Sequence, residues 1–217
     1  MSHTTAMRLL SALVLTSIGL LAAAAPMRAQ ETQTGPKATH MAVLRTSMGD
    51  IEIELYGIDA PKTVKNFVEL AKKGYYNGIL FHRVVPGFVV QAGDPFSRDS
   101  ASRRDLWGTG GTSIFGSTFA DELNPTGPLA KLGYKEGILA MANRGPNTNT
   151  SQFFIVLSDE RASHLPYSYT IFGRVTKGMD IIHRIERVEL DPRYNGQPKT
   201  PVSIVEINAV EVKPTNQ

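Results

Sequence analysis

Residues 81 to 94 read FHRVVPGFVVQAGD, and this stretch decides the fold. It joins the ends of two strand-like runs, ILFHRVV (79–85) and GFVVQAGD (87–94), across a Pro-Gly step. Arg83 stands near one end of the apolar run and Gln91 near the other. Long polar side chains on a buried strand cost free energy unless they have partners. Either the fold answers them internally or a ligand does.

Outward from this stretch, the same strand pattern recurs in MAVLRTS, IEIELYG, GILAMAN, SQFFIVLS, YTIFGRV and VSIVEINAVEV. The first two are joined at Met48-Gly49-Asp50, a hairpin signal. Between IEIELYG and the opening stretch, DAPKTVKNFVELAKKG predicts a helix. Asp59 can cap it, Pro61 suits its first turn, Val64, Phe67, Val68 and Ala71 mark one face, and Gly74 ends it. KGMDIIHRIERV repeats the helical spacing through Met179, Ile182 and Ile185. Eight strands linked mostly by turns predict a mainly β fold. The expected architecture is a closed eight-stranded antiparallel β-barrel capped by two α-helices, which hides both sheet edges and both apolar stripes. A closed barrel has no free edge, so a monomer is expected.

The chain has 217 residues, 41% hydrophobic and 20% charged, the composition of an ordinary globular domain. After MSHTTAMR comes LLSALVLTSIGLLAAAA, an apolar run with one basic residue before it and small residues at its end. This is the layout of a signal peptide over residues 1–30. It predicts an exported protein, periplasmic if the cell has two membranes and otherwise secreted or held in the envelope, with no stable membrane association after cleavage. Residues 31–40, ETQTGPKATH, read as a flexible tether, 41–213 as one domain and 214–217 as a tail. Without Arg8 and Arg28, 21 basic residues face 20 acidic ones, a net charge near +1, which gives no basis for nucleic-acid binding. The chain has no cysteine, so it has neither disulfide nor thiol chemistry.

Most catalytic chemistries find no support in the spacing. Five histidines without a ligand pattern predict no metal site, and no cofactor motif is present. There is no G-x-S-x-G elbow for Ser113 to serve. GTGG at 108–111 lacks the lysine of a phosphate loop and reads as a turn. NTS at 149–151 fits a glycosylation acceptor but runs straight into a buried strand, which discounts it. The loop PFSRDSASRRDLW (95–107) offers Arg98, Arg103, Arg104 and Trp107, either to a substrate or partner or simply to solvent. What remains is a set of polar residues set among apolar ones: Arg83, Gln91, Asn143 and Gln152 beside Phe88, Val89, Ala142 and Phe154. Such a surface suits a small apolar group flanked by peptide backbone.

Taken in order, FHRVVPGFVVQAGD, GTGGTSIFG, FADE, GILAMANRGPNTNTSQFFI and YTIFGRV resemble the cyclophilins over nearly all of residues 41 to 212. The likeness is to a bacterial-type, exported member. It implies the eight-stranded barrel and peptidyl-prolyl cis-trans isomerase activity on proline-containing segments of unfolded or partly folded proteins. By resemblance, the catalytic group comprises Arg83, Gln91 and Phe88. The substrate-binding set comprises Val89, Ala142, Asn143, Gln152, Phe154, His164, Leu165 and Tyr169. His164 stands where many members carry a tryptophan, which speaks against strong cyclosporin binding. The competing reading is a proline-peptide binding module or chaperone with little turnover. Retention of Arg83 favours the enzyme, because a pure binder needs no group that serves the transition state.

Overall fold

The computed structural model describes residues 35–98 and 103–212. The signal-peptide reading of 1–30, the first part of the tether and the 214–217 tail lie outside the described residues, as does the centre of the 95–107 loop. Eight strands form a single sheet: β1 (His40–Thr46), β2 (Gly49–Leu55), β3 (Arg83–Val85), β4 (Val89–Ala92), β5 (Ile138–Met141), β6 (Phe153–Val156), β7 (Ile171–Lys177) and β8 (Ile204–Glu211). Their order is β3-β4-β6-β5-β7-β2-β1-β8, and every neighbouring pair is antiparallel.

The hairpin between β1 and β2 turns one residue earlier than expected. Thr46 pairs with Gly49, and Ser47-Met48 make the turn. The Thr46 hydroxyl closes it, donating to Gly49 O (2.7 Å) and accepting from Met48 N (3.1 Å). Thr39, in the segment read as tether, donates its N–H to Leu55 O (2.8 Å) and accepts from Val212 N (2.8 Å), so the chain joins the sheet just before β1.

The strand ladder ends at β3 and β8, and an isolated bridge, Leu80 to Ser203, joins the chain just before each of them. The segment before β8 carries Pro198 and Pro201, which have no N–H to extend a ladder. Backbone bonds run across this seam. Phe81 N donates to Val202 O (2.9 Å), Ile204 N to Ile79 O (2.7 Å) and Val84 N to Gly196 O (2.6 Å).

Among the described residues are four helices rather than two: α1 (Pro61–Lys72), α2 (Pro128–Leu132), α3 (Asp159–Ala162) and α4 (Met179–Glu186). α2 and α3 are about one turn each, too short for an apolar period to register in sequence. α1 buries Val64, Phe67, Val68 and Ala71 as its spacing predicts. Phe67 sits at the centre of an aromatic cluster, 5.2 to 5.5 Å from the rings of Tyr76, Phe153 and Phe172.

The cap of α1 is not Asp59. Ala60 holds the N-cap position without a side-chain bond. The free N–H groups are met from far along the chain by Glu122, which accepts from Lys62 N (2.9 Å), Thr63 N (2.8 Å) and the Thr63 hydroxyl (2.8 Å). A carboxylate there satisfies two orphan donors and lies at the positive end of the helix dipole.

α4 pins the β3–β4 turn. Gly87 N donates to Glu186 Oε1 (2.6 Å), and the Arg161 guanidinium donates to Pro86 O (2.7 Å). Glu186 is held in turn by His183, whose Nδ1 lies 2.9 Å from Glu186 Oε2 and whose Nε2 lies 2.8 Å from Glu136 Oε1. Ionised carboxylates only accept, so this placement favours the imidazolium, in which both ring nitrogens donate. Its bond to Glu186, then its bond and charge pairing with Glu136, raise its pKa. Burial alone would raise the pKa of Glu186, but the bonds from His183 and Gly87 outweigh it and hold the carboxyl below its usual range.

Two outcomes follow from these ties. Glu122→Ala should lower unfolding stability in urea by about 1–2 kcal/mol, the worth of a lost cap; a change within error would remove Glu122 from that role. His183 has a raised folded pKa, so its contribution is complete below about pH 6.5 and is lost as pH rises through the folded value. The urea midpoint should therefore fall between about pH 6 and about pH 9 more steeply in the wild type than in His183→Gln. Equal slopes would mean that the triad does not stabilise the fold.

Candidate active site

Pairing across four strands sets Arg83 opposite Gln91, Gln91 opposite Phe154, and Phe154 opposite Ala140. Directly opposed residues share a face of the sheet. The next row, Val84, Val90, Ile155 and Leu139, points the other way and has no solvent exposure. The polar residues of the opening stretch thus lie on one face of a strand whose other face is core.

Arg83, Gln91 and Gln152 form a directed chain of hydrogen bonds. Arg83 Nη1 donates to Gln91 Oε1 (3.2 Å), and Gln91 Nε2 donates to Gln152 Oε1 (2.9 Å). Gln152 Nε2 donates to the carbonyls of Gly110 (2.7 Å) and Gly108 (3.1 Å). Both ends have a fixed sense, because carbonyls only accept and guanidinium only donates. Neither amide can flip without setting like against like. Burial lowers the pKa of Arg83, and the neighbouring Tyr169 opposes the shift.

The turn at 108–111 therefore does more than connect. Gly108 (φ 85°) and Gly111 (φ 136°) occupy conformations that suit glycine, and a side chain at Gly111 would strike Thr150 Oγ1 at 2.3 Å. Asp94, at the end of the opening stretch, anchors the turn by accepting from Gly108 N, and it also accepts from Phe96 N (2.9 Å). Arg144 reaches the same carbonyl as Gln152, donating to Gly108 O (3.1 Å). Sequence reasoning missed Arg144. His82 is buried beside Arg83, and neither ring nitrogen has a protein partner. Burial drives its pKa down to about 4 against the pull of Asp94, so it is neutral at pH 7.

The apolar residues of the set lie in or against the core. Val89 and Phe154 are buried, while Phe88, Ala142, Leu165 and Tyr169 are partly buried against the core. The Phe154 and Tyr169 rings meet edge to face, centroids 5.6 Å apart. Phe88 is tied at its backbone, where Leu157 N donates to Phe88 O (2.9 Å). The Asn143 side chain donates to Ser168 O (2.8 Å), which ties the end of β5 to the loop carrying Tyr169. His164 is exposed beside Leu165 and is the member of the set that no described bond draws in. A cavity of about 210 Å³ opens next to the row, lined by Gln91, Gln152, Ala142 and Asn143 together with Gly108 and Gly110.

Other residues turn out to be braces. Asn149 is fully buried, its amide bonded to Phe119 O (3.2 Å) and Asp121 Oδ1 (2.7 Å), which removes it as a glycosylation acceptor. Arg104 lies over the Trp107 ring at 4.8 Å and donates to Pro198 O (3.0 Å) and Lys199 O (2.9 Å). Arg98 lies over Tyr75 at 5.1 Å and donates to Asn77 O (3.1 Å). Among the described residues, Arg103 pairs within the loop itself, with Asp105 at 3.2 Å.

Comparison with known proteins gives a consistent answer. Residues 41–209 match the family model of cyclophilin type peptidyl-prolyl cis-trans isomerases. The peptidyl-prolyl cis-trans isomerase-like 1 of Rhizopus delemar is 51% identical over 149 residues, 69% of this chain and 81% of that protein. The peptidyl-prolyl cis-trans isomerase ppi1 of Schizosaccharomyces pombe is 46% identical over 167 residues, 77% and 97% of the two chains. The crystal structure of a cyclophilin type isomerase from Cryptosporidium parvum superposes with a TM-score of 0.68 at 34% identity, covering 82% of this chain and 99% of that one. The same protein crystallised in the presence of the dipeptide Ala-Pro gives 0.66 at 35% identity, covering 77% and 96%. These relatives are eukaryotic, and they lend nothing to the expectation of a bacterial, exported member. The fold, the row on β3 to β5 and the sequence identity converge: the chain belongs to the cyclophilin-type peptidyl-prolyl cis-trans isomerases and is an enzyme of that class.

Proposed function

We propose that the isomerisation takes place over the Arg83–Gln91–Phe154 row, and that the directed hydrogen-bond chain from Arg83 to the glycine carbonyls is its working part. Rotation of an Xaa-Pro bond breaks the double-bond character of the C–N link, at a cost of about 18–20 kcal/mol. No covalent bond to the protein and no proton transfer is needed. The twisted amide must simply be bound better than either planar form. As the bond twists, the nitrogen lone pair localises and becomes an acceptor, and a guanidinium donor aimed at it gains a bond that the planar amide scarcely offers.

The observation that carries this reading is the fixed sense of the chain. Gln91 presents its oxygen to Arg83 because Gln152 presents its oxygen to Gln91. Gln152 must do so because its amide nitrogen is engaged by Gly108 and Gly110. The guanidinium is thus oriented before substrate arrives, and one of its five donors is spent on Gln91. Phe88, Val89, Phe154, Leu165 and Tyr169 form the wall that grips the proline ring. Ala142, Asn143 and Gln152 face the peptide backbone. With the Asn143 side chain engaged by Ser168 O, the backbone of that segment serves the peptide. An acceleration of 10⁵ needs roughly 7 kcal/mol of differential binding, within reach of a charge-assisted bond plus ring anchoring.

The substrates on this reading are proline-containing segments of incompletely folded proteins. The Cryptosporidium relative crystallised with Ala-Pro supports that class. The apolar run after Arg8 and the small residues that follow support an exported protein, periplasmic or secreted, acting on exported clients. The Leu80–Ser203 bridge supports closure of the sheet into a barrel at the β3–β8 seam.

With a short Xaa-Pro peptide, Arg83→Ala should lose about 10²–10³ in kcat/KM, the cost of one preorganised donor. Gln91→Leu should lose about tenfold, since it leaves the arginine present but unoriented. Near-equal turnover of Arg83→Ala and wild type would overturn the mechanism. The mechanism calls on no acid or base, so kcat/KM should show no catalytic optimum between about pH 6 and about pH 9. A bell-shaped profile would require an acid or base that this reading lacks.

A further inference from the structure

We infer that the cleft between α2 and α3 is a second subsite of the enzyme, one that takes an apolar or aromatic side chain of the same peptide whose proline occupies the Arg83 groove. This rests on the reading of the Arg83 row as the place of catalysis.

The cleft holds about 480 Å³, more than twice the cavity beside Gln91 and Gln152, and falls in the range of small-ligand sites. Its lining is mostly apolar: Pro125, Ala130, Ala162, Leu165, Tyr134 and Tyr167. Lys135 and Asp159 stand at it as polar groups, both exposed. This is a concave apolar surface with few polar groups, the usual make-up of a side-chain pocket.

Two features join it to the groove. Leu165, placed in the wall of the proline pocket, is also part of the cleft lining. A run of aromatic rings leads from one to the other. Phe154 meets Tyr169 at 5.6 Å, Tyr169 meets Tyr134 at 6.4 Å, and Tyr134 meets Tyr167 at 6.2 Å. The run is also tied by its backbone. The Tyr134 hydroxyl donates to Tyr169 O (2.8 Å) and accepts from Tyr169 N (3.0 Å). The rim residue of the groove and the wall of the cleft are therefore one braced unit. A peptide extending from the proline past Leu165 meets the cleft next, and the occupant is the side chain it carries there.

The test is a set of otherwise polar peptides with one Xaa-Pro core and a single phenylalanine moved stepwise along either flank. Wild type should show one or two positions where kcat/KM rises roughly tenfold over the phenylalanine-free peptide, the discrimination a fitting apolar pocket gives. Ser163→Trp, which fills the cleft from its exposed rim, should reduce that ratio to about one, and Ser163→Ala should keep it. The ratio is read within each variant, so a change in overall activity does not enter it. A wild-type kcat/KM that ignores phenylalanine position would overturn the subsite, as would a ratio that survives in a folded Ser163→Trp. If wild type accelerates none of the peptides, the Arg83 reading fails instead. The cleft is then judged by calorimetric affinity for the same peptides, which must still depend on phenylalanine position.

Discussion

The pairing of Arg83 with Gln91 across β3 and β4 is the constraint on which the site depends. Side chains alternate along a strand, so a slip of one residue would turn Arg83 into the core and expose Val84. Val84, Val90, Ile155 and Leu139 oppose that slip together, since all four are withdrawn from solvent in the correct register. The burial that stabilises the sheet and the orientation that aims the guanidinium are the same choice. The β3–β4 turn is held from outside as well, by Glu186 on Gly87 and Arg161 on Pro86.

Loops carry the rest of the order. Asn66, buried on α1, donates to Thr150 O (2.9 Å) and accepts from Ile114 N (2.9 Å), so it fixes the chain just before Gln152 and the segment that follows the glycine turn. Asp94 and Arg144 set the glycine turn from two directions. Each of these bonds is modest in net worth, about 0.5–1.5 kcal/mol for the neutral ones and about 1.5–3 kcal/mol for those of Asp94 and Arg144. Their value lies in removing alternatives, since a polar chain of fixed sense works only if its terminal acceptors cannot move.

Much of this was legible in the chain. The apolar spacing of Val64, Phe67, Val68 and Ala71 is a property of one segment, so α1 could be read from it. The oddity of Arg83 and Gln91 within valines pointed to a polar face, and Gln152 and Phe154 showed the same mixture. What escaped the reading lies in pairings across long separations. Glu122 caps a helix some sixty residues earlier. Arg104 looked like loop charge and is a brace against Pro198 and Lys199. GTGG looked like a connector, because the use of a carbonyl depends on what folds against it. The seam between β3 and β8 could not be read in detail, because Pro198 and Pro201 ahead of β8 carry no N–H for pairing.

The row of Arg83, Gln91, Phe154 and Ala140 also acts as a ruler. Its members sit on four adjacent strands, so three strand spacings separate the ends, roughly 14 Å at 4.7–4.9 Å each. An extended peptide advances about 3.3–3.6 Å per residue, so about four residues of extended chain match that span. On the proposed reading, the length of client held over the row is counted in units of the sheet.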